Sequence, residues 1–555
     1  MILFLFGPLQ GQVRGVSSTS FNIRNFSPGE YRAKRQNWSI VQDGRGIMYF
    51  ANSAGILEYD SVEWRLIELP HRSPVYALAR NPQGRIFAGG DGEVGFLEPD
   101  NNGTMRFGSL KNEIPPAYRG KSGRIVKIGF IPGATVFLFE KILLILEGDN
   151  VNAFKADDHF YTFVYACGSL YIIDDTRGLL RYSNGKLIDV PGGQLLRAYV
   201  MLPYPNNTIL MVTEQEGLII FDPHNKQNHF PPVNFQYSDF FAGNIISCGF
   251  ILEDRTIVLG SVEKGIAVID PQGNPAVYIR VGDGLQDEHV YDLCRDNEGN
   301  LWAGLDQGIS LLSSSLVVNP GASRRGQAKS SFAALLRDCR KLSDNSLIFG
   351  GTYYSHGNRV PSLVQEGFQV PQFEYAFNGF RFVFGTTHYN ESEKTMYSCY
   401  LDGLDKGWSE WMPRNSREYT NLGWGEYTLR VKARASTGEI SQEAAYTFIV
   451  KPPWYETFLF MIGQVVFIVM VLLASRVMEG TGFAPKLSNN LIIFAVVVIF
   501  EYVNGFIGPL IGRYSEGIAF FGMLMTGVLS FIIGPAQEFL TTLLKKITFM
   551  KRMEG

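Results

Sequence analysis

Short apolar and polar stretches alternate over most of the chain, and one unit of that alternation recurs. In residues 291–312, YDLCRDNEGNLWAGLDQGISLL, an alternating run leads through a polar turn at Gly299 to the strand LWAG, a tight turn at Asp306 and Gln307, and a strand that opens with Gly308. Period-two alternation bounded by glycine-containing turns predicts antiparallel strands joined as hairpins. The unit therefore predicts two or three short strands.

Copies of this unit follow one another along the chain. Successive copies lie roughly 37 to 48 residues apart, which is the length of a four-stranded propeller blade. A glycine at the start of the last strand allows the positive φ that a short turn between adjacent strands needs. The copies are anchored at Gly55, Gly95, Lys141 in a degraded copy, Gly178, Gly217, Gly265, Gly308 and Gly351.

The fold class predicted from this pattern is mainly β, with a β-propeller over residues 38–370. The copies predict seven or eight blades, and both numbers stay open because propellers often close by pairing a first strand with a last, partial blade. Residues 371–453 then contain about five to seven short alternating strands with turn signals between them. This second region predicts an Ig-like β-sandwich.

The C-terminal part of the chain predicts a three-helix transmembrane module. Arg476 and Lys486 lie in the first connection between the apolar stretches and residues 545–555 form a basic tail, whereas the second connection has only Arg513. The positive-inside rule then places the tail in the cytoplasm and the β domains in the periplasm. We therefore expect a multi-pass protein of the bacterial inner membrane with a cytoplasmic C-terminus. The stretches long enough to span are 458–475, 490–512 and 517–544.

The N-terminal residues differ from both β domains. Residues 1–12 have a short apolar core without a basic start, and we interpret them as the remnant of a signal peptide. An ordinary buried first strand is the alternative. Residues 13–37 are expected to be a lead-in to the first blade.

Composition and motifs argue against several classes of function. The formal net charge of −3 gives no indication of a nucleic-acid-binding surface. The sequence has no HExxH, GxSxG or P-loop motif, so we predict no catalytic residue, metal or cofactor and no enzyme activity. Active residues contributed by separate blades would leave no local trace. The cysteines lack CxxC spacing, which argues against a zinc site or a disulfide framework, and they are expected to pack as small apolar residues: Cys167, Cys248, Cys294, Cys339 and Cys399.

One face of the predicted propeller is the candidate ligand-binding site. The strands of a blade, a to d, run outward from the axis, so all b–c turns emerge on the same face as the d–a connections. Acidic and amide side chains around a central depression can hydrogen-bond a sugar or another polyhydroxylated ligand, and aromatic residues can stack on it. The alternative is that each is a solvated turn residue. The residues predicted for this face are Asn52, Asp91, Asp175, Glu214, Glu263, Asp306 and Tyr354.

A single carboxylate interrupts the second predicted span. Glu501 lies within residues 490–512, and an ionisable group inside a membrane is a functional hypothesis by default. It is a candidate for contact with a partner helix or for proton relay. A hydrogen bond to a neighbouring span is the alternative.

The sandwich region resembles a known family. YLDGLDKGWSEW, REYTNLGWGEYTLRVKA and FIVKPPWYET resemble the triple-tyrosine domain that follows two-component-regulator propeller repeats in bacterial sensors of the Bacteroidetes type, and DNEGNLWAGLDQGISLL is similar to the repeat itself. The naming tyrosines would be Tyr400, Tyr419 and Tyr427, with Trp408 and Gly425 in matching places. We expect the tyrosines and Trp408 to pack in the sandwich and not to form a ligand site.

The resemblance implies a periplasmic sensor whose propeller binds a ligand, often glycan-derived, and whose sandwich passes the signal on, typically as a change in dimer arrangement. This chain departs from the family because it has room for one propeller and because no kinase or helix-turn-helix is recognisable. The partners expected are a small molecule or oligosaccharide, a separate cytoplasmic or membrane signalling protein, a second copy of the chain, and the membrane, but no nucleic acid. Two alternatives stay open. One is a truncated regulator whose output domain is missing, and the other is a periplasmic membrane-anchored scaffold or propeller enzyme.

Overall fold

The propeller in the computed structural model has seven blades. A short strand, β1, and a one-turn helix, α1 (Pro28–Tyr31), come first, and six complete four-stranded blades follow. Each blade is an antiparallel meander whose first strand contacts the first strands of its neighbours. The structure describes residues 22–499 except 117, 120–122, 149, 195, 214–216, 225–226, 230–239, 242, 272, 314–331 and 481–489, and beyond 499 only residues 535, 538, 539 and 542.

The strand bounds follow the sequence repeats. The first three blades are β2 (Asn37–Gln42), β3 (Met48–Asn52), β4 (Gly55–Tyr59) and β5 (Trp64–Ile67); β6 (Val75–Arg80), β7 (Ile86–Gly90), β8 (Val94–Pro99) and β9 (Met105–Ser109); and β10 (Ile125–Ile131), β11 (Ala134–Phe139), β12 (Ile142–Glu147) and β13 (Asn150–Lys155). The next three are β14 (Phe160–Ala166), β15 (Ser169–Asp174), β16 (Gly178–Ser183) and β17 (Lys186–Asp189); β18 (Ala198–Tyr204), β19 (Thr208–Thr213), β20 (Gly217–Asp222) and β21 (Gln227–His229); and β22 (Ile246–Ile251), β23 (Ile257–Ser261), β24 (Ile266–Ile269) and β25 (Pro275–Ile279).

The seventh blade joins the two ends of the propeller. It contains β26 (Val290–Arg295), β27 (Leu301–Leu305) and β28 (Gly308–Leu312), and its outer strand is β1 (Ile23–Phe26), which pairs antiparallel with β28. Contact between β2 and β26 completes the ring. Part of the predicted lead-in, residues 13–37, is therefore a structural strand of the last blade. The predicted signal-peptide remnant, residues 1–12, lies outside the described residues.

The eighth sequence copy, near Gly351, does not form a blade. Two strands flank residues 342–346, shortly before Gly351, and both belong to the sandwich. They share a sheet with strands more than thirty residues further along the chain. The predicted boundary at residue 370 is therefore wrong, and the propeller ends with β28. The short apolar and glycine pattern of this segment is compatible with either domain, and only its long-range pairing distinguishes them.

The sandwich consists of two four-stranded sheets. Phe380 and Phe382 of one sheet lie 5.1 Å and 5.8 Å from Phe448 of the other, measured between ring centroids, so aromatic side chains fill the space between the sheets. The first sheet has the strand order β30 (Leu347–Phe349), β29 (Ala334–Lys341), β34 (Phe380–Thr386) and β36 (Ser416–Tyr419). The second sheet has the order β33 (Gln372–Phe373), β38 (Ala444–Val450), β37 (Gly425–Arg434) and β35 (Met396–Asp402). A two-stranded sheet, β31 (Tyr353–Tyr354) and β32 (Pro361–Ser362), is separate from both.

Two of the three predicted naming tyrosines pack as expected. Tyr419 and Tyr427 are buried in the sandwich. Tyr400 is only half-buried, and Trp408, whose ring lies 6.0 Å from Tyr400, is 37% exposed. The prediction of a packed Trp408 is therefore only partly met. The ammonium of Lys432 lies 4.0 Å from the centroid of the Trp408 ring.

The sandwich packs against the propeller face that carries the a–b and c–d turns. Arg337 of β29 lies buried between Glu58 and Asp60 of the first blade, with Nε 2.5 Å from an Asp60 oxygen and Nη2 bonded to Glu58. The hydroxyl of Tyr389 donates a hydrogen bond of 2.6 Å to the carbonyl of Gly46, in the first a–b turn. The face with the b–c turns is on the opposite side of the propeller from these contacts.

Two features of the structure explain why glycine occurs at the repeat position. At Gly308 the φ angle is +123°, and an added Cβ would lie 2.6 Å from the carbonyl oxygen of Phe26 in the outer strand β1. At Gly265 the φ angle is +68°, and the Cβ would lie 2.3 Å from the carbonyl oxygen of Ile279, again in an outer strand. The glycine therefore allows both the turn conformation and the close approach of the fourth strand.

Substituting Gly308 by alanine is expected to destabilise the protein by about 2–3 kcal/mol, because backbone strain adds to displacement of β1. Gly217→Ala is the matched control, since its φ is +69° but no described atom lies within 4 Å of the added Cβ. The control should lose only about 1 kcal/mol. Urea unfolding of the full chain in detergent measures both, and equal losses would show that the approach of β1 has no energetic weight.

The helices form a second compact unit, and the propeller and sandwich form the first. Helix α2 spans Phe458–Gly480, and its apolar segment Phe458–Ser475 is long enough to cross a membrane. It is the one such helix among the described residues; α3 (Asn490–Ile499) is apolar but shorter. The rest of the predicted span 490–512, most of the span 517–544, the tail 545–555 and Glu501 lie outside the described residues.

Candidate functional site

Every inner strand of the propeller has a β-bulge at its second position, on the side of the b–c turns. A bulge places an extra residue against the neighbouring strand and redirects its side chain. In this ring the bulged side chains line the end of the central channel, and we call them the mouth. They are Trp38, Tyr76, Val126, Tyr161, Tyr199, Ser247 and Tyr291.

Hydrogen bonds to the b–c turns position several mouth side chains. The hydroxyl of Tyr161 donates to Asp175 at 2.7 Å, and that of Tyr291 donates to Asp306 at 2.9 Å. Trp38 Nε1 donates to the hydroxyl of Ser53 at 2.9 Å. Each ring is thus held by the turn of its own blade. The corresponding distance from Tyr76 to Asp91 is 3.5 Å, a weaker contact.

The aromatic rings also contact one another. The ring centroids of Trp38 and Tyr291 are 4.1 Å apart, and those of Trp38 and Tyr76 are 5.2 Å apart. On the other side, Tyr161 and Tyr199 pack edge to face at 5.3 Å. The guanidinium of Arg124 lies 5.7 Å from the Trp38 ring and 5.5 Å from the Tyr76 ring, within cation–π range. The mouth is therefore a partly continuous aromatic surface.

Below the mouth is a cavity of about 380 Å³, which we call the chamber. The residue after each bulged position lines it, as do apolar side chains such as Leu78, Ile128 and Met201. Among the lining residues that the structure describes, two are charged, Lys127 of the third blade and Asp292 of the seventh. The chamber therefore combines apolar side chains with polar and charged groups. Its volume lies within the usual range of small-ligand pockets.

Burial shifts the pKa values of the charged groups in the chamber. It raises the pKa of Asp292 to about 6, against hydrogen bonds from the backbone N–H groups of Ile40 and Leu293 that favour the ionised form. It lowers the pKa of Lys127 to about 8, although the charge of Asp292 acts in the opposite direction. Near neutral pH, Lys127 is therefore largely charged.

The acids at the b–c turns act as acceptors for the tyrosines. Burial raises the pKa of Tyr161 and of Tyr291, so both hydroxyls remain donors. The hydrogen bond from Tyr161 holds the pKa of Asp175 below its ordinary value, with the nearby charge of Arg197 adding to the effect. Asp175 and Asp306 therefore position aromatic residues.

The structure brings five of the seven predicted face residues to the b–c turns. Asn52 is buried, and its amide contacts backbone groups of Lys34 and Gln36, so its polar atoms are occupied. Asp91 and Glu263 are exposed there. Asp175 and Asp306 contact tyrosines as described above. Glu214 lies outside the described residues, and Tyr354 is wrongly predicted for this face because it belongs to the small sheet beyond the propeller.

The mouth aromatics were not predicted from the sequence. A signal for them exists, because Trp38, Tyr76, Tyr161, Tyr199 and Tyr291 each stand at a nearly constant distance before the glycine of their own copy. At that position the alternation alone predicts an ordinary strand residue. The bulge that turns the side chain to the mouth depends on the register between two strands.

One group of described side chains has the composition of a metal site. Ligand atoms of Asp158, His159 and Asp175 lie within 4.8 Å of one another. His159 Nδ1 already lies 3.1 Å from an Asp158 oxygen, and Asp175 bonds Tyr161 and pairs with Arg197 at 3.3 Å. These pairings account for the cluster, and we assign it no metal. None of the five cysteines forms a disulfide, and three of them are buried.

Comparison with solved structures finds similar domains of low identity. The extracellular domain of the one component system BT4673 from B. thetaiotaomicron matches at 13% identity and a TM-score of 0.42, over 78% of this chain and 59% of that one. That of the hybrid two component system BT3049 from the same organism matches at 14% identity and 0.43, over 78% and 58%. A streptogramin B lyase matches at 15% and 0.41, over 53% and 97%. TM-scores this low carry no argument about function.

Family models match both β domains. The two component regulator propeller model matches residues 284–307, which end at the b–c turn of the seventh blade, and the Y_Y_Y domain model matches residues 388–451, most of the second half of the sandwich. No curated protein sequence matches the chain. The chain thus combines a propeller, in which one repeat matches the two component regulator propeller model, with a domain that matches the Y_Y_Y model.

Proposed function

We propose that this chain is the membrane-anchored, periplasmic receptor part of a bacterial signalling system, and that its propeller mouth binds a polyhydroxylated ligand such as an oligosaccharide. The observation that carries this proposal is the set of five aromatic side chains at the bulged positions. Aromatic faces pack on the apolar faces of sugar rings, while turn carboxylates and hydroxyls accept and donate hydrogen bonds around them.

Rigid positioning of the aromatics supports a binding role. Three of the mouth rings have their polar ends fixed by hydrogen bonds of 2.7–2.9 Å to b–c turns. Side chains fixed before binding lose little conformational freedom when a ligand arrives, so more of the contact energy appears as affinity. A mouth of unsupported, solvated turn residues would not have this property.

The contact between propeller and sandwich supports a relay. Arg337 of the sandwich, Glu58 and Asp60 of the first blade form one buried charge cluster, to which Arg45 and Asp43 add a second pair at 2.8 Å. Separating these partners would leave buried charges unpaired, which is unfavourable. A displacement of the first blade would therefore move the contacting part of the sandwich with it. In the proposal, ligand binding shifts the blades and the sandwich passes the shift along the chain to the helices.

Anchoring rests on the sequence following the sandwich. Trp454 and Tyr455 are exposed and directly precede the apolar helix α2, as aromatic residues do at a membrane interface. The three-span topology, with residues 545–555 in the cytoplasm and a separate output partner, is the finer part of the proposal. A reporter enzyme fused after Gly555 tests it, since activity restricted to the periplasm would contradict a cytoplasmic end.

The binding proposal is tested by removing two mouth tyrosines together. Tyr161→Ala with Tyr291→Ala should weaken the binding of a sugar found in an oligosaccharide screen by about 1.5–3 kcal/mol, or roughly ten- to a hundredfold, because two stacking surfaces are lost. Calorimetric titration of the full chain in detergent measures the change in Kd.

Tyr165→Ala is the matched control. It removes an exposed tyrosine from the same strand as Tyr161, away from the mouth. Its affinity should equal that of the unmodified chain. An unchanged Kd in the double variant, or an equal loss in the control, would contradict binding at the mouth.

A further inference from the structure

Lys127 is a cationic side chain of the chamber wall, and not all of its hydrogen-bond donors are used in the described contacts. Among the described contacts, Lys127 Nζ donates a single hydrogen bond, of 2.9 Å, to the carbonyl oxygen of Phe163 in the neighbouring blade, and it lies 5.3 Å from the centroid of the Phe163 ring. A protonated ammonium has three donors. Two of them therefore remain for a group inside the chamber.

The anion on the chamber wall is occupied differently. One oxygen of Asp292 accepts the backbone N–H of Ile40 at 2.8 Å, and the other accepts that of Leu293 at 2.9 Å. The first of these bonds joins the seventh blade to the first at the seam where the ring closes. Asp292 thus has a structural role, whereas the role of Lys127 as an inter-blade tie uses only one of its donors.

Lys127 lies where a ligand held at the mouth would reach it. It follows Val126, the bulged residue of the third blade, so it lies about one strand residue, roughly 3.3 Å, below the mouth. At the equivalent position the other blades have Ser39, Ala77, Thr162, Val200, Cys248 and Asp292. Lys127 is the one basic side chain in that layer.

We propose that Lys127 makes the chamber selective for ligands that carry a carboxylate, so that an acidic sugar projects its carboxylate past the mouth aromatics onto the ammonium. The inference rests on the proposed binding at the mouth and adds the chemical class of the ligand. A carboxylate accepts two charge-assisted hydrogen bonds, and these are stronger in a site shielded from water.

The expected pH dependence follows from the groups that face Lys127. The titratable groups that line the chamber with Lys127 are Asp292 and Tyr291 on β26, Cys248 on β22, Tyr76 on β6, Tyr161 on β14 and Tyr199 on β18. Ionisation of Asp292 near pH 6 adds a repelling charge, and loss of the proton from Lys127 near pH 8 removes the attracting one. The pKa values of Cys248, Tyr76, Tyr161 and Tyr291 are raised, so these groups stay neutral. Affinity for a carboxylate should therefore fall in two steps as the pH rises through 6 and 8.

The test compares matched ligands on the full chain in detergent. A uronic-acid oligosaccharide, its methyl ester and free glucuronic acid are titrated calorimetrically into the unmodified chain, Lys127→Met and Lys127→Arg. The unmodified chain should bind the acid at least tenfold more tightly than the ester. Lys127→Met should remove that difference while keeping affinity for the ester, and Lys127→Arg should retain it.

The outcomes separate the two proposals. If acid and ester bind equally to the unmodified chain, or if Lys127→Met keeps the preference, the carboxylate inference is overturned and mouth binding stands. If the acids bind in a Lys127-dependent manner but the double tyrosine variant binds them equally well, the mouth proposal is overturned and the carboxylate site stands. Absence of binding to all three ligands overturns both.

Discussion

Replacing Arg337 by methionine is expected to destabilise the protein by about 3–5 kcal/mol, the usual loss when one partner of a buried ion pair is removed. Arg337 is 1% exposed, and its two acidic partners are equally buried. Methionine fills much of the same volume but leaves Glu58 and Asp60 without a counter-charge. Chemical unfolding of the full chain in detergent measures the loss.

The loss should depend on pH in a defined direction. Burial alone would raise the pKa of Glu58, but the charge of Arg337 holds it below its ordinary value. In the unmodified protein this carboxylate therefore adds stability above its unfolded pKa, and that contribution is lost as the pH falls through the folded pKa. In Arg337→Met the buried acids instead gain stability by taking up protons. The difference between the two proteins should therefore shrink on acidification from pH 8 to pH 5.

Arg381→Met is the control for this prediction. Arg381 pairs with Glu418 at 2.8 Å in the same domain, but the two side chains are 44% and 38% exposed. An exposed pair contributes at most about 1 kcal/mol. Arg337→Lys keeps the charge but not the planar guanidinium group. Its loss of stability should therefore lie between those of Arg337→Met and Arg381→Met. A loss at Arg337 no larger than that at Arg381 would contradict a buried charge joint between propeller and sandwich.

Substituting Phe26 by alanine is the second change with a large expected effect, about 3–5 kcal/mol. Phe26 is fully buried at the end of the closing strand β1, with ring centroids 5.3 Å from Tyr59, 5.4 Å from Trp64 and 5.7 Å from Trp302. These rings belong to the first and last blades. Truncating Phe26 therefore opens a cavity at the seam where the ring closes.

Two measurements check the Phe26 prediction. Chemical unfolding gives the free-energy loss, and hydrogen exchange should show faster exchange in β1 and β28 than in the central blades. Phe377→Ala is the control, because Phe377 is 42% exposed and should cost less than about 1 kcal/mol. A comparable loss in both variants, or uniform exchange over all blades, would contradict a specific role for β1 in closure.

The sequence indicated most of the strands but not how many blades they form. The alternation and the repeat anchors, a glycine in six copies and Lys141 in the other, identified the third strand of each of the seven blades, because both depend on residues close together in the chain. The copy at Gly351 satisfied the same local pattern, yet its strand β30 pairs with β29, in a sandwich sheet that also contains β34 and β36. The pairing of the closing strand β1 also depends on a distant part of the chain, since its partner β28 lies almost three hundred residues away.

The sequence predicted the face on which the candidate site residues lie but not their hydrogen-bond partners. Five of the seven predicted residues lie at the b–c turns, because the order of strands within a blade determines that face. Asp175 and Asp306 were expected to contact ligand, whereas in the structure they accept hydrogen bonds from Tyr161 and Tyr291. A turn carboxylate is equally compatible with both roles until its hydrogen-bond partner is known.

By itself the sequence determined the mainly β character, the blade-length repeat, the presence of a second β domain and one helix long enough to span a membrane. Periodicity, turn glycines and apolar length are local properties, and each constrains the backbone without reference to distant residues. Only the tertiary structure decided the closure by β1, the end of the propeller at β28, the aromatic mouth and the place of Lys127 beneath it. These depend on strand register and on contacts between blades, which bring together residues that no local pattern relates.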